Sequence, residues 1–119
     1  MKENQLIVLS KSFAIEIIDI CEKIRDRKKA AAIANQLLRS GTSIGANIHE
    51  ANYAASKADF VNKLQIALKE CYETEYWIDV FHSSQILMNE EYESLFAQCS
   101  KIRKLLTASI TTAKEGSNK

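Results

Sequence analysis

The sequence predicts an all-α fold: an antiparallel, up-down-up-down four-helix bundle. Three observations predict it. Apolar residues recur at three- and four-residue spacing through four long stretches. There is no proline among the 119 residues and there are only three glycines, so helix interiors go unbroken and a turn-rich β fold is disfavoured. The links between stretches are a few residues long, and short links between long helices make consecutive helices antiparallel neighbours. Each stretch holds about 24 residues, about 36 Å of helix. One domain, residues 1–115, accounts for the chain, with 116–119 expected as a frayed tail.

The first helix is expected over Asn4–Arg27, where Leu6, Leu9, Phe13, Ile17, Ile20 and Ile24 make the stripe. Arg25 and Arg27 in its last turn, followed by Lys28 and Lys29, favour the negative end of the helix dipole. The second is expected over Ala31–Ala54 on Ala34, Leu37, Gly41, Ile44, Ile48 and Ala51. Ser56 reads as the N-cap of the third, with Asp59 as the capping-box acid. Phe60, Leu64, Ala67, Cys71 and Ile78 carry that helix to Ser83 or Ser84. Asn89 reads as the N-cap of the fourth, with Glu90 and Glu91 in its first turn. Tyr92, Leu95, Cys99, Ile102, Leu106 and Ala113 form its face.

With 46% hydrophobic and 26% charged residues the composition is globular, and a net charge of +1 supplies no global field for nucleic acid or acidic lipid. No signal peptide or membrane span is read, which places the chain in the cytoplasm with no membrane partner. Cys21, Cys71 and Cys99 are widely spaced and lie in apolar runs, so they read as buried thiols.

The charge distribution singles out helix two. Residues 30–55 hold one cation, Arg39, and one anion, Glu50, whereas residues 1–29 hold seven cations and five anions. A bundle's outer face is normally charged. Here the off-stripe positions Gln36, Ser40, Thr42, Ser43, Gly45, Ala46 and Asn47 are small or neutral. Gly41 and Gly45 stand four apart and permit close backbone approach. Helix two is therefore expected to be covered on more than one side, the second cover being another subunit. Replacing Gly41 by leucine is expected to break that assembly. Arg39, Ser43, Asn47 and Glu50 share a stripe, and helix three offers Lys63, Glu70, Glu73 and Trp77, so a network of Arg39 and Asn47 with Glu70 or Glu73 is expected. Tyr53, Tyr72, Tyr76 and Trp77 read as core or interface anchors.

No motif carries catalysis, a metal or a cofactor. His49-Glu50 lacks a second histidine four residues on, and His82 stands alone. Ser40-Gly41-Thr42-Ser43-Ile44-Gly45 lacks the lysine and the strand-to-helix turn of a phosphate loop. An enzyme using Glu70 or Glu73 as base is the weakest of three functional readings.

The run Gln36-Leu37-Leu38-Arg39-Ser40, then Ser43-Ile44-Gly45-Ala46-Asn47-Ile48 and Glu50-Ala51, resembles the four-helix-bundle family named for proteins encoded in intervening sequences of bacterial 23S ribosomal RNA genes. The match continues through Phe60, Lys63, Leu64, Ala67, Glu70, Glu73 and Trp77. The resemblance implies a homopentameric ring. It also implies kinship with the accessory protein of diversity-generating retroelements, which works with a reverse transcriptase and binds nucleic acid through a basic surface. No catalytic residues come with it. Two readings follow. In the first, a non-catalytic oligomeric interaction module uses Arg39, Ser40, Gly41, Ser43, Gly45, Asn47, Glu50, Glu70, Glu73 and Trp77 as subunit interface or polar network and displays helices one and four to a protein partner. In the second, an accessory protein contacts RNA or DNA through Arg25, Arg27, Lys28 and Lys29, or through Lys101, Arg103 and Lys104. The acids Glu90, Glu91 and Glu93 at the same end are expected to neutralise the first group.

Overall fold

The computed structural model describes the backbone of residues 2–28 and 30–117 and the side chains of residues 5–27 and 30–116. Four helices, α1 (Lys2–Lys28), α2 (Ala31–Ala51), α3 (Lys57–Ser83) and α4 (Asn89–Ser117), form an all-α four-helix bundle of 52 × 21 × 20 Å. Each helix packs on two neighbours, α1 on α2 and α4, and α3 on α2 and α4. This puts α1 diagonally opposite α3.

The predicted stripes meet in one core. Phe13, Ile17 and Ile24 of α1 face Leu37 and Ile44 of α2, Ile78 and Phe81 of α3, and Leu95, Ile102 and Leu106 of α4, all fully buried. The three cysteines are also buried and unpaired by disulfide. Burial pushes the Cys21 thiol up to about 11. Contact with Cys71, followed by burial, raises the Cys99 thiol further. Cys21 and Cys99 are thus held as unreactive thiols.

The ends of the helices depart from the sequence expectation in ways that local hydrogen bonds explain. Helix α2 stops at Ala51 instead of Ala54 because Asn52, Tyr53 and Ala54 donate to the carbonyls three residues back, a tightening that ends the α-helix. Ser56 caps α3 as expected: its hydroxyl accepts from the Asp59 N–H at 3.1 Å. The Asp59 carboxylate accepts in turn from the Ala55 N–H at 3.3 Å.

The α3–α4 turn is a Schellman closure, with Ile86 N–H on the Phe81 carbonyl at 2.8 Å and Gln85 N–H on the His82 carbonyl at 3.0 Å. Gln85 takes the left-handed position, φ 63°, that usually falls to glycine.

Asn89 is not the cap of α4. Its side chain meets His82 Nε2 at 2.7 Å, and Met88 supplies the first helical acceptor, to Tyr92 N–H. Glu91 reaches back to the Met88 N–H at 2.9 Å, the acidic half of a capping box without the hydroxyl half. Helix α4 runs past the expected limit at residue 115, through Gly116 to Ser117, continuing from the good helix formers Ala113, Lys114 and Glu115. Asn118 and Lys119 of the expected tail lie outside the described residues.

Candidate functional site

The residues expected to form a subunit interface or polar network divide into three groups. Gly41 and Gly45 belong to the first, and they face α1 of the same chain. A Cβ on Gly41 would stand 3.0 Å from Ile17 Cγ1, and one on Gly45 would stand 3.4 Å from the Ser10 carbonyl oxygen. The close approach that their spacing predicts is therefore the α1–α2 contact. A leucine at position 41 would strike Ile17 inside the fold, so it does not report on assembly. Ser40, read as an off-core position, is fully buried, with its hydroxyl donating to the Leu37 carbonyl at 3.4 Å.

The second group forms ion pairs along the α2–α3 seam. Arg39 bonds Glu73 and reaches Glu70 at 3.5 Å. The Trp77 indole N–H donates to Glu73 at 3.0 Å. These two bonds, Trp77's first and then Arg39's, hold the Glu73 carboxyl below the usual carboxylate range. Lys63 pairs with Glu50 at 2.8 Å and lowers its carboxyl likewise. The expected network thus exists for Arg39, Glu70, Glu73 and Trp77.

The third group stays within α2, which corrects the expectation for Asn47. Its amide donates to the Ser43 carbonyl at 2.9 Å and does not reach Glu70 or Glu73; Ser43 donates to the Arg39 carbonyl at 2.7 Å. Both side chains are short enough to bond the preceding turn before they can span the seam.

The basic groups are partly consumed in the same way. Arg27 makes a two-pronged pair with Glu91, at 2.9 and 3.0 Å, tying the end of α1 to the start of α4. Glu91 is the member of the expected acidic trio that does this, and the Arg27 bonds hold its carboxyl below the usual range. Arg25 donates to Asn35 at 2.6 Å. Arg103 bonds Glu75 at 2.9 Å and lies over the Tyr72 ring, 5.5 Å from its centroid. Lys101 and Lys104 stand exposed on α4 without an ion pair among the described residues. Lys29 and the Lys28 side chain lie outside the described residues.

A surface that sequence reasoning missed lies between α1 and α2. Ile7 and Ala14 of α1 and Thr42, Gly45 and Ala46 of α2 line a groove of about 240 Å³, with Lys11 and His49 on its walls and no carboxylate. Val8, Ile15 and Ile18 extend the apolar surface along α1, with Ile15 60% exposed. Their signal was present in the sequence: α1 carries more branched apolar residues than one stripe can use. Of the tyrosines expected as core or interface anchors, none lies in the core of the chain. Tyr53, Tyr72 and Tyr76 are 78%, 55% and 59% exposed, whereas Trp77 is half-buried against Phe81. Tyr72 and Tyr76 lie off the apolar stripe of α3, so helix geometry turns them outward, and Tyr53 lies in the turn after α2.

Among the described residues no cluster of three metal-ligating side chains occurs. No helix among them is long and apolar enough to cross a membrane. Glu70 and Glu73, the two candidate bases, are both engaged by Arg39.

The model of the family described as 23S rRNA-intervening sequence protein matches residues 2–108. No curated protein matches the chain. Among solved structures, the chain is similar to a protein with unknown function from the S23 ribosomal protein family of Bacteroides thetaiotaomicron. The two are 44% identical with a TM-score of 0.91, over 93% of this chain and 99% of that one. By this evidence the chain belongs to the 23S rRNA-intervening sequence protein family.

Proposed function

We propose that this protein is a non-catalytic, self-associating interaction module of the cytoplasm. It assembles as a ring, a homopentamer, in which α2 and α3 take part in the subunit contact, and it presents the seam of α1 and α4 to a protein partner. One observation carries the reading: the largely apolar α1–α2 groove, with no carboxylate in its lining, flanked by exposed Val8, Ile15 and Ile18. Exposed apolar surface of this kind marks a docking surface. The flank of the bundle, 52 by 21 Å, exceeds the roughly 800 Å² that a standard interface takes from each partner.

Size exclusion with light scattering on the untagged protein tests this. The wild type is expected as a multimer, and Ala46→Glu, which puts a charge on the exposed wall of the groove, as a monomer of unchanged helicity. A multimer of unchanged mass would remove the groove from the assembly.

The second reading is a nucleic-acid-binding accessory protein acting with a partner enzyme such as a reverse transcriptase. The exposure of Lys101 and Lys104 supports it, because a ring would repeat that pair and add avidity. It predicts an elevated 260/280 nm absorbance ratio at low salt that falls as salt rises. It also predicts loss of RNA or DNA binding in Lys101→Glu/Lys104→Glu. Binding indifferent to both would overturn it.

A further inference from the structure

We infer that the occupant of the α1–α2 groove is the α3 corner of a second copy of this chain, with Tyr72 and Tyr76 entering the groove. The inference deepens the assembly reading and rests on it. Groove and tyrosines lie on opposite sides of one bundle. The α1–α2 edge is opposite the α3–α4 edge, since α1 and α3 stand at diagonal corners. Tyr72 lies beneath Arg103 of α4, which places it on the α3–α4 edge. Tyr76, one turn further along α3, is exposed on the adjoining outer face, its ring edge-on to Trp77 at 5.0 Å.

The two surfaces complement each other. The lining includes residues with little or no side chain, Ala14, Gly45 and Ala46, and the volume of about 240 Å³ has room for an aromatic ring. Tyr72 and Tyr76 are the large rings on the opposite edge, each more than half exposed. Aromatic side chains seated in pockets are the usual energetic centres of protein interfaces. A covered phenol needs a partner for its hydroxyl, and Lys11, Thr42 and His49 on the groove walls supply them. Lys11 is the charged residue lining the groove; exposed Asp79 stands three residues beyond Tyr76 and exposed Lys69 three residues before Tyr72, so of these two only Asp79 can pair with Lys11.

A contact between two different faces is heterologous. Repeated head to tail, it closes into a ring when the rotation per subunit permits and otherwise grows as a filament. A groove packed on its own twofold copy would give only a closed dimer and would leave both tyrosines outside.

Complementation of two half-blocked variants tests the geometry. Ala46→Glu obstructs the groove and keeps the tyrosines. Tyr72→Ser/Tyr76→Ser removes the rings and keeps the groove. All three positions are exposed, and circular dichroism verifies that both variants retain helicity. Light scattering is expected to find each variant monomeric alone. Their equimolar mixture is expected to form a one-to-one heterodimer, twice the 13.4 kDa chain mass, through the single intact contact. The contact is overturned if the tyrosine variant alone keeps the wild-type mass, or if the two folded variants do not pair when mixed. A monomeric wild type would instead overturn the assembly reading beneath it, so the two failures are distinct.

Discussion

Thr74 is the residue whose chemistry disagrees most with its surroundings. It sits in the core stripe of α3 with no exposure, and its hydroxyl oxygen is the buried side-chain polar atom left without a partner among the described residues. An unpaired buried hydroxyl costs about 1–3 kcal/mol. Thr74→Val replaces it with an apolar group of the same shape, so stability should rise by about 1 kcal/mol, read as a higher urea midpoint at unchanged m-value. A lower midpoint would show that the hydroxyl is satisfied in solution. Gly41 makes the opposite point. A Cβ there would stand only 3.0 Å from Ile17 Cγ1, so the glycine that looked like an invitation to a second subunit serves the first one.

The turns decide how the helices are joined. Both hydrogen bonds of the Schellman closure form at the α3 terminus, yet Gln85 occupies its left-handed position. A residue with a Cβ pays roughly 1–2 kcal/mol there relative to glycine, part of which glycine loses again through its greater freedom when unfolded. Gln85→Gly should therefore stabilise the protein by about 0.5–1 kcal/mol in thermal or chemical denaturation. A destabilised variant would mean that the Gln85 side chain does more than tolerate the turn. The start of α4 shows why its cap was misread. Asn89 has the right chemistry for an N-cap, but His82 across the turn takes its side chain, and Glu91 supplies the backbone partner at Met88 instead. The competition is between two helices, and no reading of one segment contains it.

At the scale of the molecule, the seams are held by carboxylates whose protonation is disfavoured in the folded state. Glu91 is lowered chiefly by Arg27, Glu73 by Trp77 and Arg39, and Glu50 by Lys63. A carboxyl lowered on folding takes up protons more readily when unfolded, so its stabilising effect is complete above about pH 4.5 and is lost as pH falls through the lower folded value. Wild-type stability should be flat from neutral pH to about pH 5 and fall steeply below it. Glu91 is the least exposed of the three and carries the two-pronged Arg27 pair. Glu91→Gln should lower stability by about 1–2 kcal/mol at pH 7, with the difference closing toward pH 3. A constant difference across that range would show that the loss comes from packing and not from charge.

The sequence by itself determined the helices, their order and the side of each that faces inward, because apolar periodicity is local and four long stripes joined by short links have one economical packing. It also carried the Arg39 pair with Glu70 and Glu73 across the α2–α3 seam, because Arg39 is long enough to span it; the Lys63–Glu50 pair came only with the structure. Only the tertiary structure decided what the outward residues do. Gly41 and Gly45 face α1, and Asn47 bonds its own helix. The groove combines residues about 30 positions apart in sequence, Ile7 and Ala14 with Thr42 and Ala46. Its opposition to Tyr72 and Tyr76 depends on which helices stand at diagonal corners. Those relations follow from how helices pack on one another, and periodicity within a helix holds no information about the angle at which its outer face meets its neighbours.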